Sequence, residues 1–325
     1  MTDMISEMND YGRRRIPFLF IIDADVRSPR CIPLSCVDDT AILYAIDGLT
    51  NSRTAGGPSP ACDDDIVLRR HPVPYTVYRQ AFDKAIAHLG AGNTYLLNLT
   101  FPTRIDINIS LRDLFFRSSA RYKLWLRDSF VVFSPESFVK IHDHIIAAFP
   151  MKGTIDASVE EAESMILRDE KEHAEHVTIV DLLRNDLSRI ARHVTVKRFR
   201  YIEKIRTNRK DLLQVSSEIT GELDEDYNER IGDIIFSLLP AGSVTGAPKK
   251  KTMEIIRNIE PYPRGFYTGI FGCFDGRSMD SAVMIRFIEK DSGGYAYRSG
   301  GGITIYSDPR KEYRELIDKV YVPIV

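Results

Sequence analysis

The chain is poor in cysteine, with Cys31, Cys36, Cys62 and Cys273 the only four in 325 residues. None stands in a C-x-x-C pair, so the pattern carries neither a disulfide scaffold nor a cysteine zinc site. Free thiols in a reducing compartment, the cytoplasm, are expected. Charge of one sign is also lacking. Lys and Arg number 44 against 46 Asp and Glu, a net charge of −2 with no long like-charged block. That removes the electrostatic footprint of a nucleic-acid binder and of a polybasic membrane anchor. Long hydrophobic runs are missing too. The run IPFLFII near the N-terminus stops at Asp23, far short of the roughly 20 residues of a membrane span and without the flanks of a signal peptide. Glycine (20) and proline (16) are near average usage, which excludes a collagen-like or disordered chain. A soluble, folded protein with small-molecule chemistry is what these absences leave.

Length alone permits one domain or two. FLFIID reads as a buried strand, and DDTAILYAIDGLTN as another that turns at Asp47-Gly48. Residues 51–74 are rich in proline and glycine and read as a loop or linker. Tyr78, Phe82, Ile86 and Leu89 then recur at helical spacing, with Gly90 as a stop. A strand over TYLLNLTFPTRIDI, a short helix at LRDLFFRSS and strands joined by tight turns up to Pro150 follow. Residues 158–191 lack proline and glycine and fit one long helix or two short ones. Strands at HVTVKRF and LLQVSSEITGEL, helices at ERIGDIIFSLL and PKKKTMEIIRNIE, three further strands and a helix from Pro309 complete the chain. Helices and strands alternate irregularly, which points to an α+β sandwich over a doubly wound sheet.

Three features could carry chemistry. PAGSVTGAPKKKTMEII, residues 240–256, leads small residues into a helix with Pro248 expected at N1. Its free N–H groups suit an anion, although an ordinary Gly-Pro turn before a solvated lysine face reads the same way. It lacks the P-loop spacing. Glu172 with Glu175, and Glu312 with Glu315, are i,i+3 pairs on helices; two such faces could hold Mg²⁺, or could simply face solvent. Lys152, beside Gly153 at a strand end, could be a desolvated nucleophile, a carboxylate anchor or a turn lysine. Glu136, sixteen residues upstream across a hairpin, could be a general acid or base if the two strands pair.

The stretches SPESFV, MKGTI, AEHVTIVDLLRNDLSRIA, PAGSVTGAPKKKTMEIIRNIEP, RGFYTGIFG, VMIRF, SGGGITIYSDP and EYRELIDKV occur in the order found in chorismate-utilising enzymes. The chain resembles that superfamily over about residues 75–325, and within it most resembles the aminodeoxychorismate synthase component I family. The resemblance implies an α+β fold of two large antiparallel β-sheets in a sandwich flanked by helices, with the active site between the sheets. It also implies a single chorismate-binding domain over 1–325, whose shortened N-terminal portion, 1–74, adds strands to the same sandwich.

The lysine of P-x-K-G-T, here Lys152, is the residue that separates this family from anthranilate synthases. The resemblance implies that it attacks C2 of chorismate as the C4 hydroxyl leaves, with Glu136 as proton donor. Ammonia then adds at C4 to give 4-amino-4-deoxychorismate, for para-aminobenzoate and folate. Glu175 and Glu315 become the principal Mg²⁺ ligands, supported by Glu172 and Glu312. Arg286 and Lys319 match positions that bind substrate carboxylates, and Thr154, Thr245, Gly246 and the amides of Gly300, Gly301 and Gly302 line the pocket. Gln214 takes the place where many relatives have a histidine; it hydrogen-bonds but moves no proton at neutral pH. Met151 replaces the usual isoleucine, and the short N-terminus does not extend the resemblance to an ancillary tryptophan pocket. No cysteine sits in a glutaminase nucleophile elbow, so ammonia is expected free or from a separate class I glutamine amidotransferase subunit. Anthranilate synthase, isochorismate synthase and a non-catalytic subunit of the same fold are the alternatives.

Overall fold

A computed structural model describes residues 2–53, 57, 66–205 and 211–324. In chain order the helices are α1 Thr2–Arg13, α2 Tyr75–Gly90, α3 Leu111–Arg117, α4 Ala162–Arg168, α5 Glu170–Leu187, α6 Ile231–Leu238, α7 Lys249–Ile259 and α8 Pro309–Asp318. The strands are β1 Phe18–Ile22, β2 Arg30–Pro33, β3 Ile42–Ile46, β4 Leu49–Thr50, β5 Leu68–His71, β6 Leu96–Ile107, β7 Tyr122–Leu126, β8 Phe130–Ser134 and β9 Ser137–His142. They continue with β10 Ile145–Ala148, β11 Met151–Asp156, β12 Arg192–Ile205, β13 Leu212–Glu222, β14 Gly246–Ala247, β15 Ile270–Phe274, β16 Met279–Val283, β17 Phe287–Asp291 and β18 Gly294–Ile303.

Two nine-stranded antiparallel sheets result. In the first, β2, β1, β15, β16, β9 and β10 follow one another, and the long β13 carries β12 as well as β10 and β11. The second runs β4, β3, β7, β8, β17, β18 and β6, with β5 and β14 also on β6. Strands from the first 74 residues thus enter both sheets.

The sandwich follows from strands that are apolar on both faces. All five residues of FLFII in β1 are buried. With a period of two, Leu19 and Ile21 face the second sheet beside Tyr122 and Phe271, while Phe18, Phe20 and Ile22 face α1 and α6 beside Met8 and Ile235. The second sheet is covered on its outer face by α3, around Phe115 and Trp125, and by α2, α7 and α8, around Tyr78, Ile255 and Leu316. Burial of each such side chain contributes about 1.5–3 kcal/mol.

Two local expectations change, and one unassigned stretch proves helical. The N-terminal residues before IPFLFII form α1, whose Met4, Met8 and Gly12 recur at i, i+4, i+8 and pack on α6; Asn9 donates to Asp233 Oδ2 at 2.7 Å. Gly12 is needed there because a Cβ would lie 1.9 Å from the Asn228 carbonyl oxygen. The linker contains β5, paired with the end of β6. Pro248 is the N-cap of α7 and not its N1 residue, which is Lys249. Cys31, Cys36 and Cys273 are free thiols, and Cys62 lies outside the described residues. No described helix is long and apolar enough to cross a membrane.

Candidate active site

The centre of the site is a stretch with no side chains, Gly300, Gly301 and Gly302 of β18, paired with Thr100, Leu99 and Asn98 of β6. Glycine leaves room for charged groups to converge on the strand. A Cβ at Gly302 would lie 3.4 Å from Lys152 Nζ and 3.5 Å from Glu175 Oε2. One at Gly301 would lie 3.7 Å from Glu312 Oε2, 3.8 Å from Lys319 Nζ and 3.9 Å from Glu315 Oε1. Both sheets therefore meet here, Lys152 coming from β11 of the first and the glycines from β18 of the second.

Each acidic pair is set by a helix start. Asp169 caps α5, its side chain accepting from the Glu172 amide at 2.9 Å, and Asp308 caps α8, accepting from Arg310 and Lys311. The pairs then occupy the first two turns, where the positive end of the helix dipole favours carboxylates. Glu175 and Glu312 are buried, and a Cβ at Gly153 would lie 3.3 Å from Glu172 Oε2. Cations hold two of the four: Lys152 Nζ is 3.6 Å from Glu175 Oε2, and Lys319 Nζ is 2.6 Å from Glu315 Oε1. Among the described residues, no three His, Cys, Asp or Glu side chains gather into a ready metal-ligand set.

Lys319, at the end of α8, also donates to the Gly300 carbonyl at 2.9 Å, and burial pulls its ammonium below the ordinary lysine range against the pull of Glu315. Arg286 holds left-handed backbone at φ 53°, a conformation that clusters at functional sites. Its guanidinium lies 5.1 Å over the Tyr321 ring, and its buried Nε has no hydrogen-bond partner among the described residues. A buried guanidinium with a spare donor suits a carboxylate ligand.

Glu136 stands just before β9. The hairpin expected between it and Lys152 forms as β9 on β10, with Lys140 opposite Ala147. Past Pro150 the second arm pairs with β13 as β11, so Glu136 and Lys152 are not a strand pair. Burial raises the Glu136 carboxyl above its usual range, opposed by a hydrogen bond from Ser243 and by the charges of Lys152, Arg286 and Lys319. Those four groups therefore share one electrostatic neighbourhood.

The loop before α7 closes the site. Gly246, at φ 124°, pairs with Leu97, and a Cβ would meet the Leu96 carbonyl oxygen at 1.9 Å, so only glycine fits. Thr245 is buried and donates its hydroxyl to the Ala241 carbonyl at 2.8 Å. Thr154 is exposed and stands opposite Gln214 in the β11/β13 ladder; the Gln214 amide reaches Met151 Sδ at 3.1 Å.

Several neighbours were not legible beforehand. His176 next to Glu175 is buried, bonds Ser217 Oγ at 2.7 Å, and is kept neutral, with its pKa lowered to about 4 chiefly by burial. Ser243 donates to Glu136 Oε1. Buried Arg264 pairs with Glu260 through two bonds, 2.7 and 2.9 Å, and donates to the Val244 and Asn98 carbonyls, so it fixes the 243–246 loop on β6. The motif PYPRGF was visible, but nothing in its spacing points the arginine inward.

Residues 54–324 match the family of chorismate binding enzymes. The chain is 49% identical over 324 residues to an uncharacterized PabA-like protein of Haemophilus influenzae, covering 100% of this chain and 97% of that one. It is 32% identical over 262 residues to aminodeoxychorismate synthase component 1 of Bacillus subtilis, covering 75% of this chain and 54% of that longer protein. The fold matches the menaquinone-specific isochorismate synthase of Escherichia coli with a TM-score of 0.74, at 15% identity, over 98% of this chain and 80% of that one. The chain belongs to the chorismate binding enzyme family.

Proposed function

We propose that the protein replaces the C4 hydroxyl of chorismate by an amino group, giving 4-amino-4-deoxychorismate and water. The observation that carries this reading is the position of Lys152, whose Nζ reaches Gly302 between the sheets beside Glu175, in the electrostatic neighbourhood of Glu136. The likeness to the B. subtilis aminodeoxychorismate synthase component supports it.

Arg286 and Lys319 bind the two carboxylates of the substrate, the first by its fork and the second as a point charge. Lys152, once it has given up its ammonium proton, forms a bond from Nζ to C2 while the C4–O bond breaks, and Glu136 gives its proton to the departing oxygen, which leaves as water. Ammonia then bonds to C4 and the Lys152 nitrogen leaves C2 with its electron pair, while Glu136 takes a proton back from the new ammonium group, so the lysine and the acid are both regenerated. The enolpyruvyl ether is untouched. Ammonia arrives free or from a separate class I glutamine amidotransferase subunit, the partner in this reading.

Mg²⁺ is the cofactor in this reading. Carboxylate oxygens from two helices around the cradle of Gly301 and Gly302 are hard donors suited to it, with Glu175 and Glu315 holding it and Glu172 and Glu312 in support. When bound it supplies positive charge for the ring carboxylate of the substrate.

The test is the mass of the product formed from chorismate, Mg²⁺ and ammonium. Aminodeoxychorismate supports the proposal; anthranilate with pyruvate, isochorismate, or no turnover sinks it. Folded Lys152→Ala should lose turnover, and an unchanged rate would remove the covalent step.

A further inference from the structure

The backbone of Glu136 is pinned on both sides. Its amide donates to Ser134 Oγ at 3.1 Å, and its carbonyl accepts from the Val283 amide at 3.1 Å. Its carboxyl is oriented differently, by one hydroxyl 107 residues away in sequence. Ser243, half-buried in the turn after α6, donates to Oε1, and it is the hydrogen-bond partner of that side chain among the described residues. The charged groups facing the carboxyl are Lys152 on β11, Arg286 after β16 and Lys319 after α8. All three are cationic, and none is within hydrogen-bond reach of it.

We infer that Ser243 is a positioning residue that assigns the two oxygens of Glu136 separate roles, Oε1 as acceptor of the serine hydroxyl and Oε2 as carrier of the transferable proton. A protonated carboxyl can place its hydrogen on either oxygen. The serine hydroxyl has one proton to give, and giving it to Oε1 leaves the acid proton on Oε2. In the reaction proposed above, on which this inference rests, the Oε2 proton passes to the C4 hydroxyl as the C4–O bond breaks. The carboxylate left behind keeps the Ser243 bond, which is stronger to the charged form. The serine thus holds the acid in register beforehand and lowers the free energy of its conjugate base afterwards.

Ser243→Ala and Ser243→Thr separate this from a packing role. In Ser243→Ala, kcat for chorismate amination should fall on the order of tenfold, the worth of a hydrogen bond to a charged group, with KM nearly unchanged. Its activity should also persist to higher pH than that of the parent, since losing the bond makes Glu136 a weaker acid. Ser243→Thr, which keeps the hydroxyl, should restore both. The second readout needs no turnover: infrared difference spectra against Glu136→Gln follow the titration of the Glu136 carboxyl, whose midpoint should rise in Ser243→Ala and not in Ser243→Thr. Superimposable midpoints in parent and Ser243→Ala would overturn the inference. A shifted midpoint in a protein that does not turn over chorismate would keep the Ser243–Glu136 relationship and discard the proposed reaction.

Discussion

Asp186 Oδ2 and Lys249 Nζ lie 2.5 Å apart, with both side chains almost wholly buried. They come from the two longest distinctive stretches of the sequence, VDLLRNDLSRIA on α5 and GSVTGAPKKK at the start of α7. The lysine also donates to the Leu238 carbonyl at 2.7 Å, at the end of α6. The pair therefore ties the helix that presents Glu175 to the loop that presents Ser243 and Thr245. Lys249 is not part of a solvated lysine face, as its neighbours Lys250 and Lys251 suggested; only Lys250 and Lys251 are exposed or nearly so.

Removing one partner of this pair strands a buried charge. Asp186→Asn or Lys249→Met should each lower stability by about 3–5 kcal/mol, while the double change to Leu and Met should recover much of the loss. Urea unfolding of the four proteins checks this; a double variant no more stable than the singles would show that the ion pair is not the coupling.

Much of this arrangement is legible in the chain. The strand FLFII declares itself as a run of bulky apolar residues and the helix over 75–90 by its period, and both lie as expected. Burial on both faces of β1 cannot be read from period, because a continuous apolar run has none. Helix α1 is hidden for the opposite reason: only Met4, Met8 and Gly12 mark its inner face, amid charged residues. At the site, motif likeness points to Glu136, Lys152 and Arg286, but Ser243, Arg264 and Asp186 act through partners 107, 166 and 63 residues away respectively. Such pairings are properties of the folded chain and leave no local pattern.

Gly302 tests how closely the glycine strand is matched to the lysine. An alanine methyl would sit 3.1 Å from Leu96 Cδ1, which has to give, and in contact with Lys152 Nζ at 3.4 Å and Glu175 Oε2 at 3.5 Å, so it takes up the space through which the lysine approaches a substrate. Displacing a reacting group by a fraction of an ångström costs on the order of tenfold to a hundredfold in rate. Gly302→Ala should show that loss in chorismate turnover with an unchanged far-UV spectrum. Activity within twofold of the parent would mean that Lys152 does not react from this position.

A second ionic group, away from the glycines, links the sheets. Arg121 donates to both oxygens of Asp47, at 2.8 and 2.7 Å, and Lys140 bridges Asp47 at 2.6 Å and Asp280 at 2.7 Å. Arg121 first, and Lys140 after it, hold the Asp47 carboxyl well below the usual aspartate range. A depressed carboxyl pKa means that the unfolded chain binds the extra proton. The stabilisation is thus complete above the ordinary aspartate value of about 4 and fades as pH falls through the lower folded value. Asp47→Asn should be less stable than the parent at pH 7, with the gap closing in acid and in high salt. Thermal melts from pH 7 to pH 3 decide it; a gap that stays constant with pH would assign the loss to packing.

The two helices that carry the glutamates set how the protein responds to metal. Glu175 is buried against Lys152 and Glu315 is paired with Lys319, so in this arrangement lysines neutralise the carboxylates that a divalent cation would use. Hard oxygen donors bind Mg²⁺ through charge, and each carboxylate lost should weaken it. Glu175→Gln and Glu315→Gln should therefore need more Mg²⁺ for half-maximal chorismate turnover, on the order of tenfold or more, and the double variant more still. Equilibrium binding of Mn²⁺ to the same proteins, followed by its magnetic resonance signal, reads the site without catalysis. Lys319→Met should tighten Mn²⁺ by removing a competing cation while it weakens chorismate by removing a carboxylate partner, and a variant that weakened both would place Lys319 in support of the helix and outside the competition for Glu315.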